Sequence, residues 1–404
     1  MIFVRAAGIV TTTRVTHASP AGTYAKTANR GWENDAAVRA AGHDTQRCPD
    51  IAHQLVHMEP GNRFKNDATV RAAGHDTQRC PDIAHQLVHM ESGNRFKVIL
   101  GGGRREFLPN ATLDEEGTRG LRTDERDLIQ EWQDDKQVRN LSHAYVWHAA
   151  ELRALAADPP EYLLGLFEGT HLRYNMEGNP ESEPTLAELT EVAIKSLSRN
   201  EKGFFLFVEA GRIDHAHHGS YPQLALDETI ELSAAVERAT ELLSEEDSLI
   251  VVTSDHAHVM AINGYTRRGG DILGPSDDIG DDGVPYMTLS YTNGPGARVH
   301  ENGVRPDVTQ DDDYLALRWR APADVPLGSE THGGDDVAVF ARGTAHGMFS
   351  GLYEQSQLPH LMAYAACIGP GPHAPACSGA SLASPRALTV FAPLLAALLA
   401  LIRY

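Results

Sequence analysis

Short apolar runs alternate with longer stretches of helical spacing along most of the chain. Phe204-Phe205-Leu206-Phe207-Val208 is unbroken by any polar residue, the pattern of a strand buried on both faces. Leu249-Ile250-Val251-Val252-Thr253 is a second such run, and Val98-Ile99-Leu100 a third, closed by Gly101-Gly102-Gly103 as a tight turn. Gly8 to Val15 is β-rich until His17-Ala18-Ser19-Pro20 breaks it; Tyr145-Val146-Trp147, Pro285 to Tyr291 and Val337 to Ala341 read as further strands. Asp50 to Met58, Arg126 to Gln137 and Pro222 to Glu245 carry apolar residues at helical spacing. Glu183-Pro184-Thr185 opens another helix, running to Arg199, with Pro in its first turn. Helices alternating with strands predict an α/β fold around a mainly parallel sheet. Asp271 to Gly283, acidic and rich in glycine, reads as a surface loop.

One feature breaks the pattern. Asn34 to Lys65 and Asn66 to Lys97 are a single 32-residue segment written twice, differing only at Ala37/Thr69 and Pro60/Ser92. Two copies are too few for a solenoid and read as a tandem duplication or an assembly error. The copying inflates the histidine count of 20, because His43, His53 and His57 recur as His75, His85 and His89. None of these six is taken as a ligand.

The chemistry gathers where apolar runs end. Phe204–Val208 is followed by Glu209, a Gly-Arg turn and then Asp214-His215-Ala216-His217-His218. Leu249–Thr253 delivers Ser254-Asp255-His256-Ala257-His258, and Glu330-Thr331-His332-Gly333-Gly334-Asp335-Asp336 is a third cluster of this kind. Carboxylate and imidazole are the ligands of a divalent cation that must also exchange water or phosphate oxygen, whereas thiolates would close such a site. In an open α/β sheet, ligands collect beyond the carboxyl ends of parallel strands, so both runs are expected to deliver their Asp and His at one sheet edge.

Charge and cysteine narrow the class. With 404 residues and 42% hydrophobic content the chain can bury a sizeable core, and its net charge of −20 argues against a nucleic-acid partner. A phosphorylated substrate would need local cations, from metals or arginine. The four cysteines lack zinc-finger spacing; Cys367 and Cys377 could close a short loop in an oxidising compartment. Asn110-Ala111-Thr112 and Asn140-Leu141-Ser142 are glycosylation acceptors that fit a secreted route. The start does not read as a convincing signal peptide, because Arg5 interrupts a short apolar run. Ala387 to Ile402 is almost wholly apolar, follows the small residues Ser378-Gly379-Ala380 and contains Pro393. Shorter than the roughly 20 residues of a transmembrane helix, it fits a GPI-attachment signal over residues 378–404; a buried C-terminal helix is the alternative.

Together, VEAGRIDHAHH, TSDHAH, TTTRVTHASPAGTYA, ANRGW and ETHGGDDVAVFARG resemble vertebrate alkaline phosphatases, nearest the intestinal and placental types, from about Gly8 to Cys377. The resemblance implies a three-layer αβα sandwich over residues 1–377, incomplete at the N-terminus, that hydrolyses phosphate monoesters by in-line transfer. It implies two zinc ions, one held by Asp214, His218 and His332 and the other by Asp255 and His256, with His258 supporting the pair. Ser19 and Glu209 would bind magnesium beside His17, and Arg30 would clamp two phosphate oxygens, a planar bidentate task that suits Arg. Phe167, Glu168 and Glu183 match a peripheral calcium site, with Glu183 standing where the family usually has Asp. A cell-surface, GPI-anchored homodimer is the expected form. The family's serine nucleophile, in an Asp-Ser-Gly-Ala context, is expected upstream of Gly8; Glu91-Ser92-Gly93 and Ser378-Gly379-Ala380 are in the wrong order to replace it. Cys48 and Cys80 are then left without their upstream partner, or joined to each other. The alternative reading is a zinc-binding, membrane-anchored partner of intact subunits that does not turn over, with direct activation of water on a diester as a minor third.

Overall fold

The computed structural model describes residues 6–25, 29–42, 96–311 and 314–368. Most of the duplicated segment, including the helix expected at Asp50–Met58, lies outside them, as do Cys48, Cys80, Cys377 and the apolar tail. The described chain divides into two compact units, one holding residues up to Leu242 together with His258–Gly334, the other Leu243–Ala257 and the residues from Asp335 on.

In the first unit five parallel strands form one sheet: β1 (Ala6–Arg14), β2 (Phe96–Gly102), β3 (His143–Val146), β4 (Tyr162–Leu166) and β5 (Phe204–Glu209), in the order β3-β4-β2-β1-β5. Parallel strands need helical crossovers and are covered on both faces, which explains the apolar runs of β1, β2 and β4; β5, at the sheet edge, leaves Phe205 exposed. Alternation along each strand sends Ile9, Ile99 and Leu164 to one face, where they pack on Leu128, Ile129 and Trp132 of α3 (Leu128–Val138). Val10, Val98, Leu100 and Leu163 go to the other face. There they meet Leu152 of α4 (Ala149–Leu155), Leu189 and Val192 of α5 (Leu186–Leu197) and Ala235 of α7 (Pro222–Leu242). The result is the expected three-layer αβα arrangement. Two shorter helices, α1 (Ala18–Gly22) and α2 (Asp35–Ala40), follow β1.

Local chemistry sets the boundaries. Asp127 caps α3 by accepting from the Gln130 amide at 3.0 Å. The Thr185 hydroxyl accepts from the Glu188 amide at 3.2 Å, and the Glu188 carboxylate from the Thr185 amide at 3.0 Å, a capping box that starts α5 at Leu186. Pro184 therefore precedes the cap and is not in the first turn. Gly101 and Gly102 end β2, and the tight turn falls on Gly103, with φ of 101°.

Other expectations are corrected. The Gly-Arg turn after β5 is the start of a helix, α6 (Arg212–His218). Within Asp271–Gly283 the segment Pro275–Ile279 is a strand, antiparallel to Pro285–Met287. The expected strand Pro285–Tyr291 breaks at Thr288, and its second half, Leu289–Gly294, joins a separate sheet with Met260–Ile262 and Ala323–Pro326. In the second unit Leu249–Val252 pairs antiparallel with Phe340–Gly343, a ladder of its own and not a continuation of the parallel sheet. A short apolar run suits either pairing sense, and its partner decides which. This unit also carries the helix Leu358–Ala365.

Glu228 on α7 is 2% exposed and accepts the Asn175 amide at 2.8 Å. Burial pushes its carboxyl up from 4.5 to about 7, against the opposing pull of that bond and of Arg212. The folded state then binds more protons than the unfolded one between these values, so stability falls as pH rises through that window, by about 3 kcal/mol at most. Glu228→Gln keeps the acceptor and removes the charge. Its melting temperature, measured by calorimetry, should gain on the parent's from pH 5 to 8 and then level off; a constant difference across that range would contradict the account.

Candidate metal centre

β5 ends on Glu209 at the carboxyl edge of the sheet, and α6 begins three residues later. Helical spacing places residues i and i+4 on one face, so Asp214 and His218 look the same way while His215 turns toward the end of β1. The segment around His332 brings in a third group. His218 Nε2 lies 3.3 Å from Asp214 Oδ1, His332 Nε2 lies 3.4 Å from the same oxygen, and the two nitrogens are 3.3 Å apart. Zinc bonds of 2.0–2.1 Å in tetrahedral geometry require ligand atoms about 3.3–3.4 Å apart. The three atoms form one face of such a tetrahedron and leave its fourth vertex for an exchangeable ligand.

Hydrogen bonds behind the triangle fix which nitrogens carry protons. His218 Nδ1 donates to the Glu330 carbonyl at 2.6 Å, which leaves the Nε2 lone pair free for a metal. His258 donates from Nδ1 to Glu330 Oε2 at 2.7 Å and from Nε2 to Asp214 Oδ1 at 2.9 Å. A ring that donates from both nitrogens is an imidazolium. Burial works against that charge, but the bonds to Asp214 and Glu330 outweigh it and push His258 up to about 9. His258 thus supports Asp214 and does not itself offer a lone pair. Burial works against the charge of Asp214, but its bond from the His258 imidazolium holds it well below the usual carboxylate range. His217 stacks on His258 with ring centroids 4.7 Å apart and contacts the Tyr291 hydroxyl at 2.9 Å; burial lowers it to about 4, so it stays neutral.

A second histidine cluster has the opposite electrostatic sense. The rings of His17, His171 and His215 lie with centroids 4.4–5.3 Å apart. Arg14 donates its backbone amide to His171 Nδ1 at 3.2 Å and faces His171 Nε2 with its guanidinium at 2.5 Å; Arg212 contacts His215 Nδ1 at 3.0 Å. Arginine can only donate, so the contact with Arg212 leaves the proton of His215 on Nε2, and neutral His171 accepts from Arg14 through only one of its two nitrogens. Burial first, then Arg14, lowers His17 to about 4; burial and Arg212 lower His215 to about 3; burial and Arg14 lower His171 further. Neutral imidazoles backed by arginines suit an anion, whereas the carboxylate-backed cluster suits a cation.

The remaining candidates each have surroundings of their own kind. Glu209 accepts from the hydroxyls of Thr11 and of Thr13, the latter at 2.9 Å, and Ser19 is half-buried on α1. Arg30 is exposed, close enough to His17 to help lower its pKa. Phe167 is fully buried, and Arg173 Nε sits between Glu168 at 3.1 Å and Glu183 at 3.4 Å. Burial, with Glu168 adding to it, pushes Glu183 up to about 7 against its bond from the Arg173 amide. Asp255 and His256 belong to the second unit, where His256 Nε2 lies 3.2 Å from Asp255 Oδ2. Cys367 is disulfide-bonded; its expected partner Cys377 is outside the described residues. Asn110 and Asn140 are exposed. Sequence reasoning missed Glu330, Tyr291, Thr11, Thr13 and His171. Glu330 had one signal, its place two residues before His332.

The alkaline phosphatase family model matches residues 4–60 and 57–368. The chain is 60% identical over 369 residues to "Membrane-bound alkaline phosphatase" of Bombyx mori, covering 91% of this chain and 61% of that protein. It is 42% identical to the tissue-nonspecific alkaline phosphatase of Gallus gallus, covering 98% and 70%. The chain therefore spans less than two thirds of the silkworm relative. Among solved structures, a mutant TAB5 alkaline phosphatase with Mg bound is similar at TM-score 0.54 and 17% identity, over 91% of this chain and 74% of that one. The Thermus thermophilus alkaline phosphatase gives TM-score 0.50 and 22% identity, over 90% and 71%. At these identities the likeness speaks to fold.

Zinc affinity, measured by competition with a chromogenic chelator, separates the two histidine clusters. Asp214→Asn should weaken the tightest zinc by more than the roughly 10–100-fold typical of losing an outer partner, and His171→Ala should leave it unchanged. The reverse order of effects would contradict the assignment.

Proposed function

The chain belongs to the alkaline phosphatase family, and from that premise we propose that it hydrolyses phosphate monoesters at the centre built on Asp214, His218 and His332. The observation that carries this is the triangle of ligand atoms, together with an arginine-backed cluster on the other side of α6. In this reading those three residues hold one zinc, Asp255 and His256 a second, and Ser19 with Glu209 a magnesium. When bound, such metals supply Lewis-acid stabilisation to the attacking and leaving oxygens of an in-line phosphoryl displacement.

The chain's own groups account for the rest. Arg30, exposed on its turn, is free to swing onto a phosphate and bind two oxygens at once. The Nε2 proton of His215, with Arg14 and Arg212 behind the cluster, adds donors for an oxyanion. Because the transferring phosphoryl group carries its charge on peripheral oxygens, fixed donors and cations are the main source of catalysis. His258, positively charged between two carboxylates, keeps Asp214 ionised and oriented.

The finer parts of the reading rest on resemblance. They are a calcium at Phe167, Glu168 and Glu183, glycans at Asn110 and Asn140, a homodimer, and a GPI anchor through the apolar tail. Among the described residues no helix is long and apolar enough to cross a membrane. The silkworm relative is named membrane-bound, which supports the anchored form at the cell surface. The intestinal and placental likeness is the narrowest claim, and the insect relative at 60% identity favours resting on the family.

The reading predicts hydrolysis of p-nitrophenyl phosphate at alkaline pH by protein carrying about two zincs per chain, by mass spectrometry. Full zinc without turnover would favour the non-catalytic, metal-binding alternative. Neither zinc nor turnover would contradict both.

A further inference from the structure

Glu330 is the buried group on which the metal centre leans, and the proposed function gives it no role. It is 1% exposed, and its polar contacts reach both α6 and the His258 segment. Oε2 accepts from His258 Nδ1 at 2.7 Å, Oε1 from the Val259 amide at 2.8 Å, and the backbone carbonyl from His218 Nδ1 at 2.6 Å. Its own amide donates to the His218 carbonyl at 3.0 Å. One residue thus grips the end of α6 through its backbone and the His258 segment through its carboxylate.

The tripeptide that follows is equally constrained. Thr331 is held by Asn293 through two hydrogen bonds, of 2.9 and 3.0 Å, and the next residue is His332, a corner of the triangle. Gly294, with φ of 135°, lets the chain approach from the other side: a Cβ there would stand 3.0 Å from the Glu330 Cβ. A side chain at 294 would crowd the Ser220 hydroxyl, 2.6 Å from its Cβ, as well as Glu330.

We propose that Glu330 is a positioning residue for zinc binding, acting through His258 to set the Asp214 oxygen and through its carbonyl to set His218. The inference rests on the zinc reading above. The chain of contacts runs from the Glu330 carboxylate through the His258 ring to Asp214 Oδ1, an atom shared by two edges of the triangle. Without the carboxylate, His258 loses the partner of its Nδ1, and the hold of its Nε2 on Asp214 loosens. Outer partners of this kind are typically worth about 10–100-fold in metal affinity.

The test is a double-mutant cycle on zinc affinity in the full chain, read by chelator competition. Glu330→Gln should weaken zinc by about 10–100-fold in the parent and by less than about 2-fold in a His258→Ala background, because partners that act as a unit are not additive. An unchanged affinity, or an equal loss in both backgrounds, would overturn the proposal. If the parent itself binds no zinc, the zinc reading fails instead. Long-range proton–nitrogen spectra of the unsubstituted protein serve should the variants not fold: His258 Nδ1 should carry a proton, and a bare Nδ1 would overturn the contact.

Discussion

Everything at this site depends on keeping one half-buried carboxylate ionised and aimed. Asp214 sits where desolvation favours its neutral form, and it is held charged by the bond from the His258 imidazolium. That charge makes the triangle with His218 and His332 a cation site and not merely three polar side chains in contact. It also explains why His258 is spent as a support. With both nitrogens donating to carboxylates it has no lone pair to give, yet its positive charge lets Asp214 and Glu330 share a buried space.

The division between two histidine clusters follows from the same rule about lone pairs. Around His218 the outer partner is a carbonyl, which fixes the proton on Nδ1 and leaves Nε2 open. Around His171 and His215 the outer partners are arginines, which close that option. A chain with net charge −20 can receive a phosphate only where cations are concentrated. α6 stands between the two environments, carrying Asp214 and His218 for one and His215 for the other.

Much of this was legible in the residues, because the motif after β5 packs its chemistry into one helical turn. The apolar runs of β1, β2 and β5 announced parallel strands and the αβα layering followed, but β5 is the edge strand and leaves Phe205 exposed, so its run did not mean full burial. β4 went unread because YLLGL is short and has Gly165 at a position where strands prefer bulk. The pairing of Leu249–Val252 was misjudged because nothing inside an apolar tetrapeptide encodes its partner or its direction. Asp214, His218 and His332 were assigned from resemblance, and their spatial triangle could not be counted from spacing across more than a hundred residues. Glu330 stayed hidden for another reason. A glutamate two residues from a ligand looks like any surface acid until its burial and its bond to His258 are seen.

The central claim concerns the position of one ion, and anomalous diffraction from zinc-loaded crystals at the zinc edge tests it most directly. The account predicts a peak about 2.0–2.2 Å from Asp214 Oδ1, His218 Nε2 and His332 Nε2 together. A zinc peak among His17, His171 and His215, with none on the triangle, would contradict it.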